Sequence, residues 1–304
     1  MNRIIAIVGP TATGKSAVAV ELALALGGEI VSADSRQVYR YMDIGTAKPC
    51  ADKRARIPHH LIDIINPDED FTLAAYQDLA FKAIDDIWQR GRLPFLVGGS
   101  GLYVRAVAGG LSIPRVTPDP ELRRRLEERV VREGCQSLYR ELTEIDPAAA
   151  GKIDPRNVRR MIRALEVCLT AGVPFSQLQK SAPMLSTLMI GLTAAREDLY
   201  RRIDARVDEM MERGLIDEVK GLLDRGYSPE LPAMSGLGYK QIAACLKGET
   251  NLDEAIQRIK FETHRFARSQ YAWFRLKDDN IHWFDIKDEP LELIRNFITQ
   301  SSLR

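Results

Sequence analysis

Gly9-Pro10-Thr11-Ala12-Thr13-Gly14-Lys15-Ser16 fits the pattern G-x-x-x-x-G-K-[ST], and it lies between the apolar run Ile4 to Val8 and an apolar-periodic stretch from Lys15 to Leu26. This strand, glycine-rich loop and helix constrain the fold more than any other part of the chain. Backbone N–H groups of such a loop converge on phosphate oxygens at the positive end of the helix. Lys15 is placed to reach a bridging or terminal phosphate and Ser16 to hold Mg²⁺. The pattern therefore implies a bound di- or triphosphate, without saying whether a phosphoryl group is transferred. An apolar run with no polar alternation is a strand buried on both faces of a parallel sheet.

Further strands are predicted at Glu29 to Ala33, Leu93 to Val97 and Leu188 to Leu192, with a helix from Leu73 to Arg90 between the first two. This alternation indicates an α/β core, a parallel sheet flanked by helices, whose ligands bind outside the carboxyl ends of the strands. After Pro114 the texture changes. Residues 119–172 hold helical stretches such as ELRRRLEERVVREG and no convincing strand, which predicts an all-helical insertion. The expected organisation is a core of residues 1–114 and 188–304, ending in a basic helical stretch from Leu252 to Arg275, with an insertion domain at 115–187.

The formal net charge of +1 neither demands nor excludes a polyanionic partner, so its distribution matters more. Residues 152–165 carry five basic side chains against Asp154, and residues 257–277 carry six against Glu262. Cys50, Cys135, Cys168 and Cys245 fit no zinc or redox spacing, and reduced thiols in a cytoplasmic protein are expected. The N-terminus enters the phosphate loop too soon to be a signal peptide, and no apolar run is long enough to span a bilayer.

Asp34 ends the second strand on the side of the phosphate loop, where a carboxylate could hold Mg²⁺, accept a proton or hydrogen-bond a nucleotide. The segment Asp34-Ser35-Arg36-Gln37-Val38-Tyr39 is richer in hydrogen-bonding groups than a turn requires. Gly98-Gly99-Ser100-Gly101-Leu102-Tyr103 follows another strand and lets a ligand approach the backbone closely, with the Ser100 hydroxyl at that edge. His59 and His60 lack further ligands at metal spacing and are expected to orient a loop or make a core hydrogen bond.

Taken together, GPTATGKS, DSRQVY, DIGTAKP (Asp43 to Pro49), HHLID (His59 to Asp63), GGSGLY, IRALEV (Ile162 to Val167), GLGYKQ (Gly236 to Gln241) and THRFARSQYAWF (Thr263 to Phe274) resemble the bacterial tRNA dimethylallyltransferase family. The resemblance runs in order over residues 4–275. It implies a P-loop kinase-like core whose helical insertion clasps the tRNA anticodon stem-loop. The implied activity is transfer of the dimethylallyl group of dimethylallyl diphosphate to N6 of adenosine 37, beside the anticodon, in tRNAs reading codons that begin with U. The phosphate loop then serves an isoprenoid diphosphate with Mg²⁺ on Ser16, and donor and adenine enter a channel from opposite ends.

By the same resemblance Asp34 matches a general base, Ser100 a position usually held by Thr, and Arg206 an arginine that meets diphosphate oxygens. Asp34, Ser35, Arg36, Gln37, Ser100, Arg123, Arg159, Arg160, Met161, Ile162 and Arg163 match tRNA-contacting stretches. His264, Arg268, Ser269 and Ala272 depart from the family pattern, so their RNA contacts are not carried over. A cytoplasmic, monomeric enzyme is expected. A small-molecule kinase, a non-catalytic RNA-binding module and a prenyltransferase acting on AMP share parts of these features, and the helical insertion favours a large acceptor.

Overall fold

The computed structural model describes residues 3–178 and 184–302. It divides into two compact units, Met1–Gly109 with Met184–Arg304, and Gly110–Pro183.

The first unit is built on a six-stranded, wholly parallel sheet of order β3-β2-β4-β1-β5-β6. Its strands are β1 (Arg3–Val8), β2 (Gly28–Ser32), β3 (His59–His60), β4 (Leu93–Val97), β5 (Ser186–Thr193) and β6 (Ile281–Asp285). The register sets Ile5 beside Phe95 and Leu188, and Ile7 beside Val97 and Ile190. The unbroken apolar run of β1 serves both faces of this sheet. Ile4, Ala6 and Val8 join a core with Val31 and Leu96, while Ile5 and Ile7 join a second with Ile30, Phe95 and Ile190. Helix α1 (Lys15–Ala25) and the C-terminal helix (Leu291–Ser302) supply Ala19, Leu22, Ile294 and Ile298 to the second core. Helix α2 (Leu73–Gln89), capped by Thr72, and α3 (Gly101–Ala108) supply Tyr76, Ile84, Val104 and Val107 to the first.

The second unit is helical among its described residues, with α4 (Pro120–Glu133), α5 (Cys135–Ile145) and α6 (Val158–Ala171) around Leu126, Leu138, Leu142, Met161, Ile162 and Leu165. Asp119 caps α4, Asn157 caps α6, and Gly172 ends α6 in a left-handed conformation. The unit runs from Gly110 to Pro183 where 115–187 is expected; at its C-terminal end β5 starts at Ser186, two residues before the apolar run that marks it in the sequence. Beyond it, the first unit continues with α7 (Arg196–Glu212), α8 (Leu215–Asp224), α9 (Tyr239–Leu246) and α10 (Leu252–Trp273).

Candidate active site at the carboxyl edge of the sheet

The phosphate loop turns directly out of β1. Gly9 has φ 133°, and a Cβ there would lie 2.3 Å from the Leu192 carbonyl oxygen of β5, so only glycine fits. Gly14 caps α1 with φ 80°. The Thr13 hydroxyl and the Lys15 ammonium both donate to the Pro10 carbonyl, at 2.9 and 2.6 Å, which folds the Lys15 side chain back over the loop. Burial, then the charge of nearby Arg206, pull the Lys15 pKa down to about 7, and Asp34 opposes them. From α7, Arg206 Nη1 donates to Thr11 Oγ1 at 3.1 Å and Arg202 Nε to the Ala12 carbonyl at 3.0 Å.

A cavity of about 450 Å³ opens beside this loop. Its polar lining includes Thr11, Asp34, Ser35, Arg36, Ser100 and Arg206. Its apolar wall comes from Ile203, Val207 and Met210 of α7, Leu237, and Ile259 and Phe266 of α10. Asp34, just past β2, accepts the Arg36 backbone N–H at 2.9 Å and has no ion-pair partner among the described residues. Ser100 Oγ accepts the Ser35 N–H at 3.0 Å and lies 3.2 Å from Ser35 Oγ, tying the turn after β4 to the turn after β2. Ser16 lines a second cavity of about 180 Å³ with Lys48, Lys53 and Arg213; Arg206 and Met210 line both cavities.

The longer motifs hold the walls. The buried Lys48 ammonium donates to Asp43 Oδ1 at 2.7 Å, Asp63 Oδ1 at 2.6 Å and the Tyr39 carbonyl at 2.6 Å, so DIGTAKP, HHLID and DSRQVY meet on one cation. Glu218 of α8 accepts the backbone N–H groups of Asp43, Ile44 and Gly45 and, at 2.6 Å, the Tyr239 hydroxyl of GLGYKQ. His60 makes the core hydrogen bond expected of it, to Glu29 Oε2 at 2.7 Å.

Several residues matched to RNA contacts have other work. Gln37 is buried; its side chain accepts from the Ser32 hydroxyl and donates to the Thr46 and Ala47 carbonyls. Met161 and Ile162 are buried in the helical core, and packing against neighbouring helices accounts for their apolar character. Arg123 and Arg163 both bind the fully buried Glu166, Arg123 at 2.7 and 2.8 Å and Arg163 at 2.5 Å, and Arg163 also reaches the Val116 carbonyl. Arg159 and Arg160 are exposed. Arg36 lines the main cavity while donating to the Pro232 carbonyl at 2.7 Å.

Gln270 was not singled out by sequence reasoning. It is buried, and it connects the Thr11 N–H to the Gly99 carbonyl. Its signal lay in THRFARSQYAWF, where attention falls on the charged positions. Two of these, His264 and Arg268, converge on Tyr200 of α7: the imidazole stacks on the phenol with centroids 4.0 Å apart, and Arg268 donates to its oxygen at 2.6 Å.

The IPP transferase family model matches residues 37–277, and an Isopentenyl transferase model matches residues 2–62. A tRNA dimethylallyltransferase of Thermomicrobium roseum is 53% identical over 284 residues, 93% of this chain and 86% of that protein. The chain belongs to the tRNA dimethylallyltransferase family. Two solved structures carry this family's fold. The tRNA isopentenylpyrophosphate transferase of Bacillus halodurans aligns with a TM-score of 0.73 at 46% identity, over 99% of this chain and 96% of that one. A eukaryotic dimethylallyltransferase acting on tRNA aligns with a TM-score of 0.80 at 28% identity, over 93% of this chain and 73% of that one. Between them the two family models take in the phosphate loop, Asp34, Ser100, Arg206 and Gln270 of this chain. No helix among the described residues is long and apolar enough to cross a membrane.

Proposed function

We propose that the chain transfers the dimethylallyl group of dimethylallyl diphosphate to N6 of adenosine 37 in tRNA, releasing diphosphate, as a cytoplasmic monomer. The observation that carries this reading is that one cavity is lined by Thr11 of the phosphate loop, by Arg206 and by the Asp34 carboxylate, with an apolar wall beside them.

In the reaction N6 bonds to C1 of the dimethylallyl group as the C1–O bond breaks, and the bonding pair leaves with the diphosphate. The adenine amine is a weak nucleophile because its lone pair is delocalised into the ring, so Asp34 takes its proton as the new bond forms. Loop N–H groups, Lys15 and Arg206 meet the charge developing on the leaving oxygens. The apolar wall of Ile203, Val207 and Met210 suits the C5 chain and keeps water from an allylic centre that carries positive charge in the transition state. Ser100 acts by fixing Ser35, and with it the turn that carries Asp34.

The residues present fit Mg²⁺ in one way. No group of three or more metal-ligating side chains occurs among the described residues, whereas Ser16 presents an exposed hydroxyl at the start of α1. A hard cation of this kind keeps several waters and binds substrate phosphates, so Ser16 would be one of few protein ligands beside them. When bound, Mg²⁺ adds positive charge at the leaving diphosphate.

In the helical unit, exposed Arg159 and Arg160 supply cations for the tRNA backbone. Mass spectrometry of RNA after incubation with labelled dimethylallyl diphosphate tests the whole reading. Label is expected on adenosine 37 of tRNA and not on AMP; label on AMP alone makes the chain an adenylate prenyltransferase.

A further inference from the structure

Trp273, the last residue of α10, stands at the rim of the main cavity and is 43% exposed. Phe266 and Ser269, seven and four residues earlier, line the same cavity, so one face of α10 runs along its edge. The indole is held rather than free. A Cβ on Gly101 would come within 2.2 Å of Trp273 Cγ, which means that the ring packs against the backbone at the start of α3. The Arg105 guanidinium lies 5.9 Å from the ring centroid.

A fixed, half-exposed indole beside a cation at the mouth of a reaction cavity offers an apolar ring face and a charge together, a combination enriched where a partner docks. It suits a planar, apolar-faced ligand that carries negative charge nearby. On the reading above, the acceptor brings such groups to this edge. A base that leaves its stack to enter the cavity leaves its neighbours in the loop with an uncovered face, and unpaired bases commonly find aromatic or guanidinium planes. Arg258, Arg265, Arg268 and Arg275 are exposed on or just beyond the same helix, in keeping with a phosphate backbone running past it.

We propose that Trp273, flanked by Arg105, is a stacking subsite for an unpaired base adjoining the target adenosine in the substrate RNA. The inference rests on the RNA-acceptor reading and adds a contact that the transfer chemistry does not require. Stacking tolerates any base, so the subsite strengthens binding without choosing sequence.

The test uses the full chain and an anticodon-loop hairpin in which each neighbour of the target adenosine is replaced in turn by 5-iodouridine. Irradiation with the wild-type enzyme, followed by peptide mass spectrometry, is expected to place a crosslink on Trp273. Trp273→Leu is expected to raise the hairpin Kd about 5- to 150-fold, the range measured when a stacking aromatic is truncated. Trp273→Phe, which keeps a ring, should stay within a few-fold of wild type, and Kd for dimethylallyl diphosphate should be unchanged in both variants. If the wild type does not prenylate the hairpin, the RNA-acceptor reading itself fails. If it does, but neither neighbour crosslinks to Trp273, the subsite is wrong; a Trp273→Leu protein that folds and binds the hairpin as tightly as wild type overturns it equally. The crosslink is read on the unmodified enzyme and so decides the matter even if Trp273→Leu does not fold.

Discussion

Gln270 Oε1 accepts the Thr11 backbone N–H at 2.8 Å across 259 residues of sequence. Its Nε2 donates to the Gly99 carbonyl at 2.9 Å, so one α10 side chain fixes the loops after β1 and β4 relative to each other. Those loops carry the phosphate site and Ser100. Gln270 is therefore a positioning residue through which the leaving-group and acceptor sides of the cavity keep their spacing.

Gln270→Leu preserves volume and leaves the Thr11 N–H and the Gly99 carbonyl without that partner, a loss of about 2 kcal/mol in stability. A small displacement of the phosphate loop can reduce turnover about a hundredfold when reacting atoms must be held close together. The expected result is a large fall in kcat with a donor KM within a few-fold of wild type, read by steady-state kinetics beside a thermal melt. Lowered stability with normal kcat would reduce Gln270 to a structural tie.

The Lys15 pKa near 7 gives donor binding a pH signature. An amine held down by burial and by Arg206 is increasingly neutral above pH 7, while a diphosphate favours its charged form, so binding at pH 8 must draw in a proton. Donor affinity should fall as pH rises above 7, by up to about tenfold per unit. Calorimetry at pH 8 in two buffers of different ionisation enthalpy should show uptake approaching one proton per donor, and Lys15→Ala should abolish it. Equal heats in the two buffers for the wild type would contradict this account.

Most of the core was legible because it is written locally. The run Ile4–Val8, the glycine loop and the apolar spacing of Lys15–Leu26 each lie within one short window. The strands β3 and β6 were not legible, one being two residues long and the other, Ile281–Asp285, carrying His and Asp along a half-exposed edge. Motif matching also could not separate residues that touch a ligand from those that build the wall behind it. Gln37, Met161, Ile162 and Arg163 sit in recognisable segments and also pack or hydrogen-bond within the fold, a structural role that only burial and hydrogen-bond partners reveal. Gln270 shows the converse: an uncharged residue whose importance depends on two loops far away in sequence.

Glu166 organises the helical unit. Although burial pushes its carboxyl up, hydrogen bonds from Arg123, Arg163 and the Asp119 N–H hold it below its usual value. A depressed carboxyl contributes stability that is present above the ordinary carboxylate range and is lost as pH falls through the folded-state value. Glu166→Ala leaves two arginines facing a buried void and should cost about 3 kcal/mol. Acid titration of the melting temperature should show the wild type losing stability toward low pH more steeply than Glu166→Ala; parallel curves would mean that the carboxylate is not what holds these helices.

Arg160, by contrast, is exposed. If it meets the tRNA backbone, Arg160→Ala should weaken binding similarly for different tRNA sequences and reduce the slope of log K against log salt by about 0.7 to 0.9. Filter binding over a salt series reads that slope directly. A slope equal to wild type removes Arg160 from the interface.

Asp34 is the residue on which the chemistry depends. Its carboxylate lines the cavity, accepts only the Arg36 N–H among the described residues, and through its charge opposes the lowering of the Lys15 and Arg206 pKa values that burial causes. The adenine amine gives up its proton only as the C–N bond forms, so the stabilisation that Asp34 offers is realised in the transition state and not in the bound substrates. Asp34→Asn keeps the size of the side chain and an oxygen for the Arg36 N–H, but it cannot take the proton, a change worth roughly 10² to 10⁴ in rate. Single-turnover transfer at saturating tRNA, donor and Mg²⁺ should fall by that factor while tRNA affinity stays within a few-fold. A residue that served only to position the base or hold the metal would instead show its loss in substrate affinity, with partial recovery as Mg²⁺ is raised. A chemical step within threefold of wild type therefore excludes Asp34 as the base and leaves it a recognition residue.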